Sequence, residues 1–450
     1  MTTSDRPAED LPAPLLRAAD LHASLTDPSL GSMNLLNEVS ERFPDAVSFA
    51  AGRPWEGAFD ADLIPRYLDT YRRYLRETLG RSEEEVHRTL FQYGRTKGIV
   101  HELVARNLRT DEGIRVDPEA VVVTVGCQEA MYLVLRALRR DERDVLLAVS
   151  PTYVGITGAA RLVDMPVLPV RSGAGGVDPT DLVATVREAR AAGLRPRAFY
   201  VIPDFANPTG ESLDLAARRG LLAIAQEHGL LLLEDNPYGL FRASGSRLPT
   251  LKALDEGHRV VYLGSFAKTG LPGARVGYAV ADQPVAHEAG RRGLLADELS
   301  KIKSMVTVNT SSVAQAVIGG KLIEHDFSLV RANVRQTEIY ARNLRHVLTG
   351  LARRFPRQAG EAPVVRWNSP AGGFFVVLTV PFPVTDALLE TSARQYGVIW
   401  TPMHHFYADD GGRYQLRLSC SLLDPPAIDE GLDRLAALLR DHLPPAGTIA

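Results

Sequence analysis

The chain has 450 residues, of which 45% are hydrophobic and 23% charged. That is enough apolar surface for a large core, and it excludes disorder, a collagen-like repeat or a small disulfide scaffold. Lysine plus arginine number 51 against 54 for aspartate plus glutamate, so a formal charge of -3 offers no general electrostatic case for nucleic acid or an anionic membrane as partner.

Met1 to Pro14 has no apolar stretch after a basic start and reads as a mobile tail rather than a secretory signal. Residues 1–59 are taken as this tail plus an arm. The longest aliphatic runs, such as Leu230 to Leu233, fall far short of the ~20 residues of a membrane-spanning helix. Only Cys127 and Cys420 are present, far apart, so no disulfide framework is needed and a reducing, cytoplasmic compartment is expected.

From about Asp117, β-rich segments alternate with helical patterns: Val121 to Thr124, Val145 to Val149, Ala198 to Ile202, Leu230 to Glu234, Val260 to Leu263 and Val276 to Val280. Such alternation predicts an α/β domain over 60–330, with a largely parallel sheet wrapped by crossover helices. Between strands, Ala130, Met131, Val134, Leu135 and Leu138 recur at helical spacing. Gly173, Gly175 and Gly176 lack the third glycine of a dinucleotide fingerprint, and the stretch reads as a turn. Helices are predicted over Ser311 to Glu324 and Leu329 to Phe355. A smaller α+β unit over 331–450 follows, with strands Phe374 to Val380 and Tyr414 to Leu418 and helices Ala387 to Tyr396 and Ala427 to Leu439. The arm would pack against this unit.

Four strand ends carry candidate chemistry. Gly126-Cys127-Gln128 joins a strand to a helix, and free N–H groups at a helix start suit a phosphate. Asn207-Pro208-Thr209-Gly210 follows the strand ending at Ile202. Asp235 ends a buried strand, where open α/β sheets place their ligands. Lys268 lies just past a buried strand, in Gly264-Ser265-Phe266-Ala267-Lys268, with Arg275 seven positions on. A buried ammonium is costly unless it is paired or used. Taken singly, each has an ordinary reading: a glycine turn, a structural loop, a strand-end carboxylate, a surface lysine.

In that order, the set resembles the class I/II aminotransferases of the fold-type I pyridoxal 5'-phosphate (PLP) enzymes, in the group containing 2-aminoadipate, kynurenine and aromatic aminotransferases. The resemblance spans about Ser32 to Leu439. It implies a PLP-dependent transferase fold: a large domain on a mostly parallel seven-stranded sheet, and a smaller α+β C-terminal domain. Lys268 resembles the lysine that joins the cofactor covalently and then moves a proton. Asp235 resembles the carboxylate that keeps the pyridine nitrogen protonated, and Asn207 and Tyr238 the donors to the ring oxygen. The phosphate would be held by Gly126, Cys127, Gln128, Ser265 and Arg275, and by Tyr93 reaching across a homodimer. Tyr153 resembles the aromatic stacked on the ring. Arg417 resembles the arginine that binds the substrate carboxylate, with Gly52 and Asn207 beside the substrate. No metal is implied.

Some positions depart from the family pattern. Ala267 stands where relatives place a second serine, and Cys127 where the cradle has serine. Arg53 and Cys420 replace residues able to shape the pocket. His404 and His405 fall in a loop that relatives place near the site mouth, either solvated or touching substrate. The implied reaction moves an amino group between an amino acid and a 2-oxo acid. Lyase, decarboxylating deaminase or oxidase chemistry shares the same residues. A transcription regulator would need a DNA-binding unit ahead of the fold, which the first thirty residues do not resemble. Around Phe43 to Pro54 the chain is similar to transaminases of antibiotic biosynthesis, implying an arylglyoxylate such as the 3,5-dihydroxyphenyl compound as oxo acid.

Overall fold

The computed structural model describes residues 16–27, 31, 38–173, 175–356 and 364–443; the expected tail Met1 to Pro14 lies outside the described residues. In chain order the first strands are β1 (Val47–Ser48), β2 (Val121–Val125), β3 (Asp144–Ser150), β4 (Val167–Arg171), β5 (Arg195–Val201), β6 (Leu231–Asp235), β7 (Val260–Ser265) and β8 (Val276–Val280). A hairpin follows, β9 (Pro284–Ala286) with β10 (Arg292–Leu294), and then β11 (Arg366–Trp367), β12 (Phe375–Thr379), β13 (Val398–Ile399), β14 (Thr401–Pro402) and β15 (Gln415–Ser419).

The central sheet has seven strands in the order β2-β8-β7-β6-β5-β3-β4. Every adjacent pair is parallel except those of β8, which runs antiparallel to β2 and β7. Residues 266–275, between β7 and β8, contain no α-helix to make a parallel crossover, so the chain must return antiparallel. Val-Val-Val-Thr in β2 and Leu-Leu-Glu-Asp in β6 are buried, as helices on both sheet faces require. Sequence pattern misses β4. It is an edge strand, so Pro169 is tolerated and its side chains are largely half-buried or exposed, which erases the apolar run.

Two predicted helices are interrupted. Leu329 to Phe355 is not continuous: helix Leu329–Ala332 and helix Val334–Arg354 flank Asn333, whose amide donates to Leu329 O at 2.8 Å and Thr269 O at 2.9 Å. Asparagine competes for backbone groups in this way and breaks the helical run. Ala387 to Tyr396 becomes helix Asp386–Thr391 followed by a wider turn over Ser392–Tyr396, stopped by Gly397 at φ 67°. Ser311 caps its helix rather than starting it, accepting from Ala314 N.

A second sheet, β11-β12-β15-β14, is antiparallel throughout and buries Val376, Leu378, Leu416 and Leu418 with Trp400 and Leu435. β1 pairs parallel with β13, and Phe49 both donates to Ile399 O and accepts from Ser419 N at 2.7 Å. Residues 47–52 thereby thread along the C-terminal unit toward the carboxyl ends of the central strands. An aromatic cluster ties the segment just before β12 into the core of the central sheet: Phe374 packs on Tyr238, Phe241 and Tyr340, with ring centroids 4.6–5.3 Å apart. Each such pair contributes about 1 kcal/mol beyond its buried area. Among the described residues, no helix is long and apolar enough to cross a membrane.

Candidate active site

A cavity of about 330 Å³ opens at the carboxyl ends of β2, β6 and β7. Gly52, Cys127, Gln128, Tyr153, Asn207, Asp235, Tyr238, Ser265, Lys268, Arg275 and Arg417 all line it. The central strands deliver Cys127, Asp235 and Lys268 to one edge of the sheet, while the arm carries Gly52 and the antiparallel strand β15 carries Arg417 to the same cavity from the C-terminal unit.

Lys268 Nζ donates to Gly52 O at 2.6 Å, so the arm touches the lysine directly. Loss of hydration pushes the Lys268 ammonium down to about 8; Arg275 and Arg417 act in the same direction and Asp235 against it. Asp235 is buried, and burial raises its carboxyl to about 6, partly offset by hydrogen bonds from Tyr200 and Cys127. Tyr200 Oη lies 2.6 Å from Oδ2, and Cys127 Sγ lies 3.6 Å from Oδ1. Sequence reasoning misses Tyr200. Its signal is period-two alternation in the strand, since Ala198, Tyr200 and Ile202 share one face and Ile202 reaches the cavity.

Arg417, in the middle of β15, is held on three sides. Nη2 donates to Ala50 O at 2.9 Å and Thr401 Oγ1 at 3.1 Å, and Nη1 donates to Asn207 Oδ1. Its guanidinium lies 4.3 Å from the Phe375 ring centroid and 4.9 Å from that of Phe406. Burial lowers it to about 10. Nε is buried without any partner. A buried guanidinium with a free donor, in a site without a protein carboxylate on it, suits an anionic ligand. The resemblance sets both Asn207 and Arg417 at the substrate, but the direct contact between them is a tertiary feature.

One end of the cavity is built by the start of helix Gly126–Leu138, where Cys127 and Gln128 line it. Val125, at its N-cap, gives no side-chain cap. Glu129 takes the Val125 N–H at 2.5 Å, and Gln128 Nε2 is tied to Gly155 O at 2.6 Å. Gly126 has φ 69°, and a Cβ there would collide with the Arg275 guanidinium. Arg275 itself has φ 50°, ending the turn Pro272–Ala274. Ser265 Oγ accepts from Ala267 N at 3.1 Å. The site therefore pairs an uncapped helix start and an arginine with a lysine amine and a strand-end carboxylate, a donor set that fits a phosphorylated aldehyde with a basic ring nitrogen.

Tyr153 sits just before helix Val154–Leu162, and burial raises its phenol to about 12, with Asp235 and Cys127 adding to the shift. Tyr93 does not line the cavity and is 84% exposed. Arg53 lines the mouth, whereas Cys420 does not reach it: its thiol points at Phe374 O, 3.3 Å away, inside the C-terminal core. The expectation that Cys420 shapes the pocket fails because β15 continues past Arg417 into that core. His404 and His405 do not line this cavity either. They pair with Asp386 in a half-exposed turn, nearer the solvated of the two expected settings than the substrate one.

Residues 67–435 match the family "Aminotransferase class I and II". An (S)-3,5-dihydroxyphenylglycine transaminase of Amycolatopsis orientalis is 59% identical over 423 residues, 94% of each chain. Among solved structures, the α-aminoadipate aminotransferase LysN of Thermus thermophilus, complexed with N-(5'-phosphopyridoxyl)-L-leucine, superposes with TM-score 0.74 at 30% identity, over 93% of this chain and 97% of that one. The kynurenine aminotransferase of Pyrococcus horikoshii, in complex with PMP, gives TM-score 0.77 at 27% identity, covering 92% and 94%.

Proposed function

The chain belongs to the aminotransferase class I and II family, and on that premise we propose that it forms an arylglycine, with 3,5-dihydroxyphenylglyoxylate as the oxo acid and an L-amino acid as donor. It is a PLP-dependent aminotransferase of fold type I, and its substrates are amino acids and 2-oxo acids. The observation that carries the arylglycine reading is the 59% identity to the dihydroxyphenylglycine enzyme across nearly the whole chain. The aromatic rings of Phe375 and Phe406 beside Arg417 support it, since a flat ring one carbon from the carboxylate would lie against them.

When bound, the cofactor supplies an electron sink for the bonding pair left at the substrate α-carbon. Lys268 would hold the cofactor and, as a free amine, take the α-proton at Nζ and pass it on to the cofactor rather than back to the α-carbon; its lowered affinity for protons suits that work near neutral pH. Asp235 keeps a proton on the ring nitrogen, and Tyr200 and Cys127 hold the carboxylate in place. Asn207 and Tyr238 donate to the ring oxygen. The N–H groups of Cys127 and Gln128, with Gly126 allowing close approach, join Ser265 and Arg275 on the phosphate. Tyr153 covers one ring face. Arg417 binds the substrate carboxylate, and Gly52 lines the substrate side.

The active unit in this reading is a homodimer in which Tyr93 serves the neighbouring subunit's phosphate. Its loop packs beside Asn309 and Ser312, and the flanking Met305, Val308 and Val313 are exposed apolar residues of the kind subunit contacts cover. A large domain over 60–330 and a small one over 331–450, with 1–59 as arm, is the proposed division. Both cysteines are free thiols, which suits the cytoplasm. Incubating holoenzyme with 3,5-dihydroxyphenylglyoxylate and a panel of amino donors tests the substrate. The reading requires the arylglycine to form; ready turnover of 2-oxoadipate or phenylpyruvate without it would sink the assignment.

A further inference from the structure

We propose that Asp386, His404 and His405 form a binding site for a divalent transition-metal cation such as Zn²⁺, set behind the wall of the substrate cavity. The three side chains come from two elements. Asp386 opens helix Asp386–Thr391, and the histidines lie in the turn Met403–Phe406. Both rings present Nε2 to the same carboxylate oxygen: His405 Nε2 is 2.8 Å from Asp386 Oδ1 and His404 Nε2 is 3.4 Å from it. One ligand atom from each residue falls within 4.8 Å of the other two. A tetrahedral Zn²⁺ with bonds of about 2.0–2.1 Å holds its ligand atoms about 3.3 Å apart, so small side-chain rotations bring the set to a common ion.

The chemistry of the set is selective. Two imidazoles and one carboxylate favour Zn²⁺, Ni²⁺ or Cu²⁺ over Mg²⁺ or Ca²⁺, which prefer all-oxygen sites. The turn is pre-organised, because Met403 and Phe406 are buried on either side of the histidines and Thr152 N donates to Phe406 O at 3.0 Å. Asp386 is exposed and the histidines are half-buried, which leaves an open coordination position for water. Entry is available through a second cavity of about 350 Å³, which His404 and His405 line together with Ser150, Thr152 and Arg161.

Location gives the site a consequence. Phe406, next to His405, forms part of the substrate cavity and lies over the Arg417 guanidinium. A bound ion would clamp that turn to helix Asp386–Thr391 and stiffen the wall on which Phe406 sits.

The experiment uses chelator-treated holoenzyme titrated with Zn²⁺ against a chromophoric chelator, and with Co²⁺ followed by its visible ligand-field bands. One ion per chain is expected. His404→Ala, His405→Ala and Asp386→Asn should each weaken binding about tenfold or more, since even loss of an outer partner of a ligand costs 10–100-fold. His404→Gln and His405→Gln, close in size and still polar, repeat the test if an alanine variant loses cofactor or fails to fold. Absence of Zn²⁺ binding in the parent, or parent-like binding in a His404/His405 double variant, overturns the proposal.

Discussion

Tyr200 Oη donates to Asp235 Oδ2 across 2.6 Å, and both side chains are buried. The carboxylate ends its strand in a medium that disfavours its charge, so its ionised form depends on the donors around it. Tyr200→Phe removes one of them. A hydrogen bond to a charged group contributes about 1.5–3 kcal/mol, so kcat/KM should fall by about one to two orders of magnitude. The missing bond had stabilised the carboxylate; its loss raises the Asp235 pKa and moves the acid limb of the kcat/KM profile to higher pH. An unchanged profile would show that Tyr200 does not act through Asp235.

Gly126→Ala places a methyl group where the Arg275 guanidinium lies and demands φ 69° of a residue with a Cβ. Strain of about 1–3 kcal/mol is expected. Cofactor affinity, measured by equilibrium dialysis, should drop about 10- to 100-fold, and the gain in Tm on adding PLP should shrink. A variant that binds PLP as tightly as the parent contradicts the cradle.

Arg417→Lys keeps a positive charge and loses the planar fork. Breaking a buried, hydrogen-bonded charge pair costs about 2–5 kcal/mol, so KM for the oxo acid should rise at least about 30-fold while kcat falls less. Circular dichroism checks that the buried replacement folds. If kcat collapses and KM stays put, the arginine is not the carboxylate anchor.

The pH dependence of cofactor uptake follows from Lys268. With its pKa lowered to about 8, roughly a tenth of the amine is neutral at pH 7, against about one part in 3,000 for an ordinary lysine. Neutral amine is the nucleophile toward the aldehyde. Stopped-flow absorbance with apoenzyme should therefore show the rate climbing with pH and levelling above about 8. A rate still rising steeply beyond pH 9 would mean that the lysine is not desolvated in solution.

Hybrid dimers examine Tyr93. In a mixture of Tyr93→Ala and Lys268→Ala chains, each mixed dimer regains one site with both residues intact only if Tyr93 serves its neighbour. Equal mixing should restore about a quarter of parental activity. No recovery would place Tyr93 outside the neighbouring site.

Sequence alone determined the alternation of buried strands and helices, and with it the placement of Gly126, Asp235 and Lys268 at the same edge of one sheet. Those features are local: apolar runs, turn residues and strand ends are readable wherever crossover connections dictate direction. Edge strand β4 escaped because an edge tolerates proline and polar side chains, and the break at Asn333 escaped because it depends on the distant carbonyl of Thr269. Tyr200 against Asp235, Asn207 on Arg417, Gly52 on Lys268 and the histidine pair on Asp386 were decided only by tertiary structure. Each joins residues between 18 and 216 positions apart, and side-chain contacts at that range are set by how strands twist and loops return, which no periodicity in the chain encodes.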